Sequence, residues 1–124
     1  MRILFEAAKA QIEIELNDTA TSQKVREALP LEARVNTWGD EIYFSIPVHT
    51  EQEKPQELVN EGDVAYWPPG HALCLFFGPT PISAPGEIRP YSPVTVVGKV
   101  VGDPKVLKNV KDGEKVQLRK IPSP

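Results

Sequence analysis

The chain has one cysteine, Cys74, so no internal disulfide can form. Its longest unbroken apolar run, residues 72–77, is far shorter than the roughly 20 residues that span a bilayer. Met1 is followed almost at once by the apolar segment 3–5, without the basic region that precedes the apolar core of a secretory signal. These absences predict a cytoplasmic protein with no membrane segment.

Metal and cofactor signatures are missing as well. His49 and His71 have no acidic or cysteine partner at ligand spacing, and there is no Cys-x-x-Cys or His-x-x-x-His motif. There is also no glycine-rich phosphate loop and no Gly-x-Ser-x-Gly elbow. We therefore expect no metal and no cofactor. Cys74, inside an apolar strand, is interpreted as a small buried hydrophobic residue and not as a nucleophile.

Charge of one sign does not dominate, because 14 Lys and Arg oppose 17 Asp and Glu for a net charge of −3. The basic residues are concentrated in residues 99–120, which suits either an anionic partner or a solvated strand with its flanking loop. The acidic balance of the whole chain argues against double-stranded nucleic acid as the main partner. The oligomeric state is left open.

Helix-compatible stretches are scarce. The chain holds 13 prolines in 124 residues, about twice the usual share of ~5%. Such a content nearly excludes a helical bundle, because proline interrupts helix hydrogen bonding. The single convincing helix is predicted at about residues 21–29, with Thr19 or Thr21 as its cap and Pro30 as its end. The length fits one domain, residues 1–124.

Strand patterns fill most of the remaining chain. Residues 12–16 alternate apolar and acidic side chains, and residues 2–7 are their expected hairpin partner. Residues 33–38 and 41–48 predict a second hairpin, with a Gly39-Asp40 turn that favours positive φ at its first position. In this hairpin Ile42, Phe44 and Ile46 point one way and Glu41, Tyr43 and Ser45 the other. The acids Asp40 and Glu41 are expected to be solvated, because they lie at the turn.

Further strands are expected at residues 64–67, 72–77, 94–101 and 115–121, with a short helical turn near residues 105–109. The count predicts a mainly β fold: a closed eight-stranded barrel with one main α-helix and a short helical turn. The proline-rich residues 79–93 must form a long irregular loop, either functional or an inert surface excursion. Glu87 and Arg89 are its best polar candidates if the loop forms one wall of a cleft.

Two motifs suggest a family. The turn Tyr66-Trp67-Pro68-Pro69-Gly70 is followed by the exit Phe77-Gly78-Pro79-Thr80-Pro81, and both stand downstream of Trp38-Gly39-Asp40-Glu41-Ile42-Tyr43-Phe44. Together they resemble a small prokaryotic cyclophilin-like family of unknown function. The resemblance implies a compact eight-stranded cyclophilin-type barrel, in agreement with the strand count.

The wider cyclophilins are peptidyl-prolyl isomerases, which lower a barrier of ~18–20 kcal/mol. The resemblance places their catalytic arginine, from a Phe-His-Arg context, at Ser45, a short neutral donor without a guanidinium fork. Their Gln-Phe-Phe pattern is only echoed by Leu75-Phe76-Phe77, with Leu75 at the glutamine position. The apolar positions match and the polar ones do not, and fold resemblance alone does not transfer activity.

The candidate site is therefore an apolar groove with a few polar side chains. Its ligand-binding candidates are Tyr43, Trp67, Phe76, Phe77, Thr80 and Glu41, with Arg34 and Arg89 as further polar residues and weak catalytic candidates. Each has a structural alternative. Tyr43 could simply cover the barrel surface, Trp67 could pack on the prolines that follow it, and Arg34 could pair with Glu41 or Glu32.

Three functional hypotheses remain open. The first is a protein that binds a small or peptide-like ligand in this groove without efficient isomerase activity. The second is a divergent peptidyl-prolyl isomerase in which Arg34 or Arg89 acts as the missing donor. The third is a structural or interaction module that uses the basic C-terminal stretch, including Lys108 and Lys111.

Overall fold

A computed structural model describes residues 1–122 as nine antiparallel strands and one main helix. The helix is α1 (Ala20–Glu27), and short 3-10 segments lie at Pro68–Gly70 and Pro104–Asn109. The strands are β1 (Arg2–Ala7), β2 (Ala10–Leu16), β3 (Leu31–Arg34), β4 (Asn36–Thr37), β5 (Glu41–Ser45), β6 (Asp63–Trp67), β7 (Ala72–Phe76), β8 (Thr95–Val101) and β9 (Lys115–Lys120).

The sheet is a nearly closed barrel with the strand order β3-β9-β1-β2-β8-β6-β7-β5-β4. The predicted eight strands are therefore corrected to nine. The expected strand at residues 33–38 is divided, because β3 pairs with β9 and β4 pairs with β5. The chain changes partner at Val35, whose N–H donates to the Glu114 carbonyl and whose carbonyl accepts from Gly113 N–H. The two edges of the sheet are thus halves of one segment, which leaves little edge exposed.

Helix α1 begins after Thr19, one of the two predicted caps and one residue earlier than expected. The Thr19 hydroxyl accepts a hydrogen bond from Ser22 N–H at 3.1 Å and satisfies one of the free donors of the first turn. The helix ends two residues earlier than expected, and Val25 is its fully buried apolar residue. Within residues 1–122, no helix has the length and apolar character needed to cross a bilayer.

Side chains of the β5–β7–β6 strands alternate between two apolar clusters. Ile42, Phe44 and Ile46 face the main core inside the barrel, as the alternation predicts. The opposite face carries a smaller cluster that includes Ala65, Cys74 and Phe76. Two chain segments cover this outer face, through isolated bridges that join Gln56 to Val94 and Val59 to Ile88. This covered outer face is where the candidate site lies.

The Gly39-Asp40 turn ties the β4–β5 hairpin to the segment that covers the outer face. Trp38 and Glu41 exchange backbone hydrogen bonds across the turn, and Gly39 has the predicted positive φ, 60°. Asp40 N–H donates to the Pro79 carbonyl at 2.9 Å. A Cβ on Gly39 would lie 2.8 Å from the Pro81 ring and 2.9 Å from the Pro79 carbonyl oxygen. The turn therefore needs glycine both for its backbone and for this close approach.

A comparison of two glycine variants tests whether Gly39 is needed for the close approach to residues 79–81. Gly39→Ala and Gly86→Ala both place a side chain at positive φ, but nothing lies within 4 Å of a Cβ on Gly86. We expect both variants to lose about 1 kcal/mol from backbone strain, and Gly39→Ala to lose a further ~1–3 kcal/mol from the clash. Urea unfolding measures the difference. Equal destabilisation of the two variants would contradict the close packing of the turn against residues 79–81.

Candidate functional site

A cavity of about 290 Å³ lies between the outer face of the sheet and the end of the 79–93 loop. Its lining is mostly aromatic and apolar. The lining residues are Trp38, Glu41, Tyr43, Trp67, Cys74, Pro90, Tyr91 and Val94.

The strands supply the floor of the cavity. Glu41 and Tyr43 are two residues apart on β5, so their side chains project from the same face. Tyr43 pairs directly with Cys74 on β7, and Cys74 in turn pairs with Ala65 on β6. The strand pairing thus places one carboxyl, one phenol and one thiol side by side on this face.

The 79–93 loop supplies the opposite wall, and hydrogen bonds hold its two ends together. The Thr80 hydroxyl donates to the Arg89 carbonyl at 2.5 Å, and the Ser83 hydroxyl accepts from the N–H groups of Thr80 and Arg89, each at 2.9 Å. This closure sets the direction in which the chain leaves the loop. Pro90 and Tyr91 follow immediately and face the cavity.

Three aromatic rings form a corner of the cavity. The Trp67 indole N–H donates to the Ser92 hydroxyl at 2.6 Å, and its ring lies over Gly70, where a Cβ would approach it to 2.7 Å. Tyr91 meets Trp67 at an interplanar angle of 83° and Trp38 at 67°, with ring centroids about 6 Å apart in each pair. Because the rings meet at steep angles, they border the cavity from different directions.

Glu41 is the only carboxylic acid among the lining residues, and it is just 5% exposed. Burial raises its pKa to about 7, and the Cys74 thiol beside it offsets a smaller part of that rise by hydrogen bonding. Burial also raises the pKa of Cys74, as does the neighbouring Glu41 charge, so the thiol stays protonated. Glu41 is therefore divided between its acid and carboxylate forms near neutral pH.

The expectation that Glu41 is solvated at its turn is wrong. Glu41 is the first residue of β5 and faces the outer side of the sheet, where the 79–93 loop covers it. The pattern of turn residues is local. It cannot show that a loop 40 to 50 residues further along the chain covers Glu41. Asp40, the other acid of the turn, lies instead against Gly78.

The other aromatic candidates and Thr80 support the site from outside its lining. Phe76 is fully buried in the smaller outer cluster, beneath the loop, and Phe77 belongs to the main core. Thr80 is buried where it joins the ends of the loop. Of the candidates named from the sequence, Tyr43, Trp67 and Glu41 line the cavity.

Sequence reasoning missed Trp38, Pro90, Tyr91 and Val94 as lining residues, and it assigned Cys74 to packing alone. Trp38 directly precedes the Gly39-Asp40 turn. That position could have identified it from the sequence, because the turn fixes the direction of its side chain. Tyr91 lies in an irregular segment and is 71% exposed, so no periodicity could have identified it. Within residues 1–122, no group of three or more His, Cys, Asp or Glu side chains is placed to hold a metal ion.

Comparison with known proteins gives the family. The profile described as Cyclophilin-like matches residues 1–119. The chain belongs to the Cyclophilin-like family. Its structure is similar to the solution structure of the hypothetical protein AF2241 from Archaeoglobus fulgidus, with a TM-score of 0.82 and 43% sequence identity over 98% of this chain and 95% of that one. A comparison with curated proteins finds no match.

In this cyclophilin-like chain, neither candidate arginine lines the cavity. Arg34 on β3 donates to the Gly113 carbonyl at 3.1 Å, so the expected pairing with Glu41 or Glu32 is not formed. Arg89 pairs with Glu87 at 2.9 Å, which lowers the pKa of Glu87. Ser45 is exposed, and its hydroxyl donates to the Gly70 carbonyl at 3.1 Å.

Three of the seven basic side chains in residues 99–120 form ion pairs within the cyclophilin-like barrel. Lys105 contacts Glu61 at 2.8 Å, and Lys115 contacts Glu32 at 3.4 Å. Arg119 contacts Glu6 at 2.8 Å. These exposed pairs disperse the positive charge among acids of other strands and loops.

The burial of Glu41 predicts a pH-dependent stability. Because its folded pKa lies near 7, above the ordinary value of 4.5, the folded state holds more protons than the unfolded state between these pH values. Its contribution to stability is therefore full below pH 4.5 and falls as the pH rises to about 7. We expect Glu41→Gln to gain up to about 3 kcal/mol relative to the unmodified protein over this window.

Urea unfolding of both proteins from pH 4.5 to 8 measures this difference, and other titrating groups cancel in it. Glu87→Gln is the matched control, since the lowered pKa of Glu87 predicts a change of opposite sign. A difference between Glu41→Gln and the unmodified protein that stays constant with pH would contradict the burial of an ionisable Glu41.

Proposed function

We propose that this protein binds a small molecule, or a single side chain of a peptide, in the cavity between β5, β7 and the 79–93 loop, without efficient prolyl isomerase activity. The observation that carries this proposal is the concave aromatic lining around one buried carboxyl. Ligand sites are typically apolar clefts in which a few polar groups fix the orientation of the ligand.

The size of the cavity limits the ligand. At about 290 Å³ it stands at the lower end of the ~300–1,000 Å³ that is usual for ligand pockets. Such a volume suits a compact molecule or the head group of a longer one. A dinucleotide or a folded peptide segment would extend well beyond it.

The position of the arginines disfavours the isomerase hypothesis. A prolyl isomerase of the cyclophilin type needs an apolar pocket and a strong donor that reaches the amide. Here the lining side chains include neither Arg nor Lys. The hydroxyl of Ser45 is already bound to a backbone carbonyl. Apolar walls without a cationic side chain in the lining support ligand binding over isomerisation.

Amide and indole chemical-shift mapping tests the binding proposal. The probes are a set of small neutral amides and alcohols and a tetrapeptide with a central X-Pro bond. We expect saturable shifts at the indole N–H signals of Trp38 and Trp67 and at the amides of Tyr43 and Cys74. Tyr91→Ala, at a mostly exposed position, should weaken these shifts without unfolding the barrel. Shifts that are absent there, or that occur only elsewhere, would contradict the proposal.

A coupled assay on an X-Pro peptide tests the isomerase alternative. We expect no enhancement beyond the uncatalysed rate at micromolar protein, because no guanidinium reaches the cavity. An enhancement that Arg34→Ala or Arg89→Ala abolishes would establish the divergent isomerase instead. Lys108→Ala, which removes a basic side chain that does not line the cavity, serves as the control variant.

A further inference from the structure

We propose that the ligand of the aromatic cavity is an organic cation with an alkylated ammonium head, which stacks on the ring faces and pairs with Glu41. This inference rests on the proposed binding function and names the class of ligand. The geometry that points to it is the juxtaposition of four aromatic side chains, Trp38, Tyr43, Trp67 and Tyr91, with a single buried acid.

The aromatic walls of the cavity favour a cation. The face of an aromatic ring is electronegative and attracts a cation within about 6 Å, most strongly for Trp. Tyr91 meets Trp67 at 83° and Trp38 at 67°, and all three rings line the same cavity, which places several rings around one compact head group. A neutral apolar ligand would gain the burial alone, whereas a cation also gains the ring electrostatics.

The charge balance around Glu41 also favours a cation. Glu41 is 95% removed from solvent, and none of the ion pairs or side-chain hydrogen bonds found within residues 1–122 gives its carboxylate a cation. The ionisable groups that line the cavity with it are the Cys74 thiol from β7, Tyr43 from its own strand and Tyr91 from the loop, and neither a thiol nor a phenol can supply a positive charge. A buried carboxylate without a counter-charge is costly. A cationic ligand supplies that charge.

The small number of acceptors selects an alkylated head. A primary ammonium carries three N–H donors that each need an acceptor after water is removed. Among the lining side chains Glu41 supplies the one charged acceptor, and the phenol oxygens of Tyr43 and Tyr91 are neutral ones. The remainder are indoles, a thiol and apolar groups. A quaternary ammonium has no N–H to satisfy, and it spreads its charge over methyl groups that pack against rings. It is therefore desolvated at lower cost.

Tryptophan fluorescence gives a direct readout, because the only two tryptophans of the chain, Trp38 and Trp67, both line the cavity. The matched probes are choline and its neutral isostere 3,3-dimethylbutan-1-ol, which share shape and differ in charge. We expect choline to give a saturable change at pH 8 with at least about tenfold higher affinity than the isostere, or ~1.4 kcal/mol.

The outcomes separate this inference from the proposed function. Equal or tighter binding of the neutral isostere would overturn the cation proposal and leave ligand binding in place. No saturable binding of choline, of the isostere or of the amide and alcohol set would overturn both. As a further arm, N-acetyl-trimethyllysine amide distinguishes a cation carried on a peptide side chain from a free small molecule, according to which binds more tightly.

Variants test the residues themselves. Glu41→Gln should lower choline affinity about tenfold while leaving the isostere unchanged. Glu87→Gln makes the same carboxyl-to-amide change in the loop outside the cavity and should alter neither. Unchanged choline binding in Glu41→Gln would overturn the role of the acid. Tyr91→Ala should also weaken choline binding, and its exposed position keeps the test valid if Glu41→Gln fails to fold.

Discussion

The packing of the 79–93 loop onto the outer face of strands β5, β7 and β6 determines the chemistry of this site. That face of a barrel would ordinarily meet water, and its acid would titrate as a surface group. The hydrogen bonds among Thr80, Ser83 and Arg89 close the loop, and the backbone contact of Asp40 with Pro79 anchors it to the hairpin. A surface face thereby becomes the floor of a cavity.

Burial of Glu41 is the main energetic consequence. A carboxyl group that is covered without a cation resists ionisation, and this cost is why its pKa rises to about 7. When the cavity is empty, the ionised form of Glu41 destabilises the folded protein. A bound cation would offset that cost. The aromatic rings around the acid favour the same kind of ligand. In the binding function that we propose, ligand affinity and stability are linked through one side chain.

Much of the barrel follows from local pattern. The alternation of Ile42, Phe44 and Ile46 with Glu41 and Tyr43 correctly separates the inner and outer faces of β5, and Gly39 takes the positive φ that its turn requires. The extra strand was not predictable, because the pattern of residues 33–38 predicts one strand, and the chain divides into two only where Val35 changes partner. The same limit applies to the site: Tyr43, Trp67 and Glu41 can be named from the sequence, whereas Tyr91 reaches the cavity only through closure of an irregular loop.

The most direct test of this account is a titration of the Glu41 carboxyl by ¹³C NMR in the free protein, with Glu87 as an internal reference. Because Glu41 is buried, we expect its midpoint near pH 7, well above the ordinary value of 4.5, and a lowered midpoint for Glu87 beside Arg89. A Glu41 midpoint near 4.5 would show that the carboxyl is solvated and would contradict the central claim of a buried acid within an aromatic cavity.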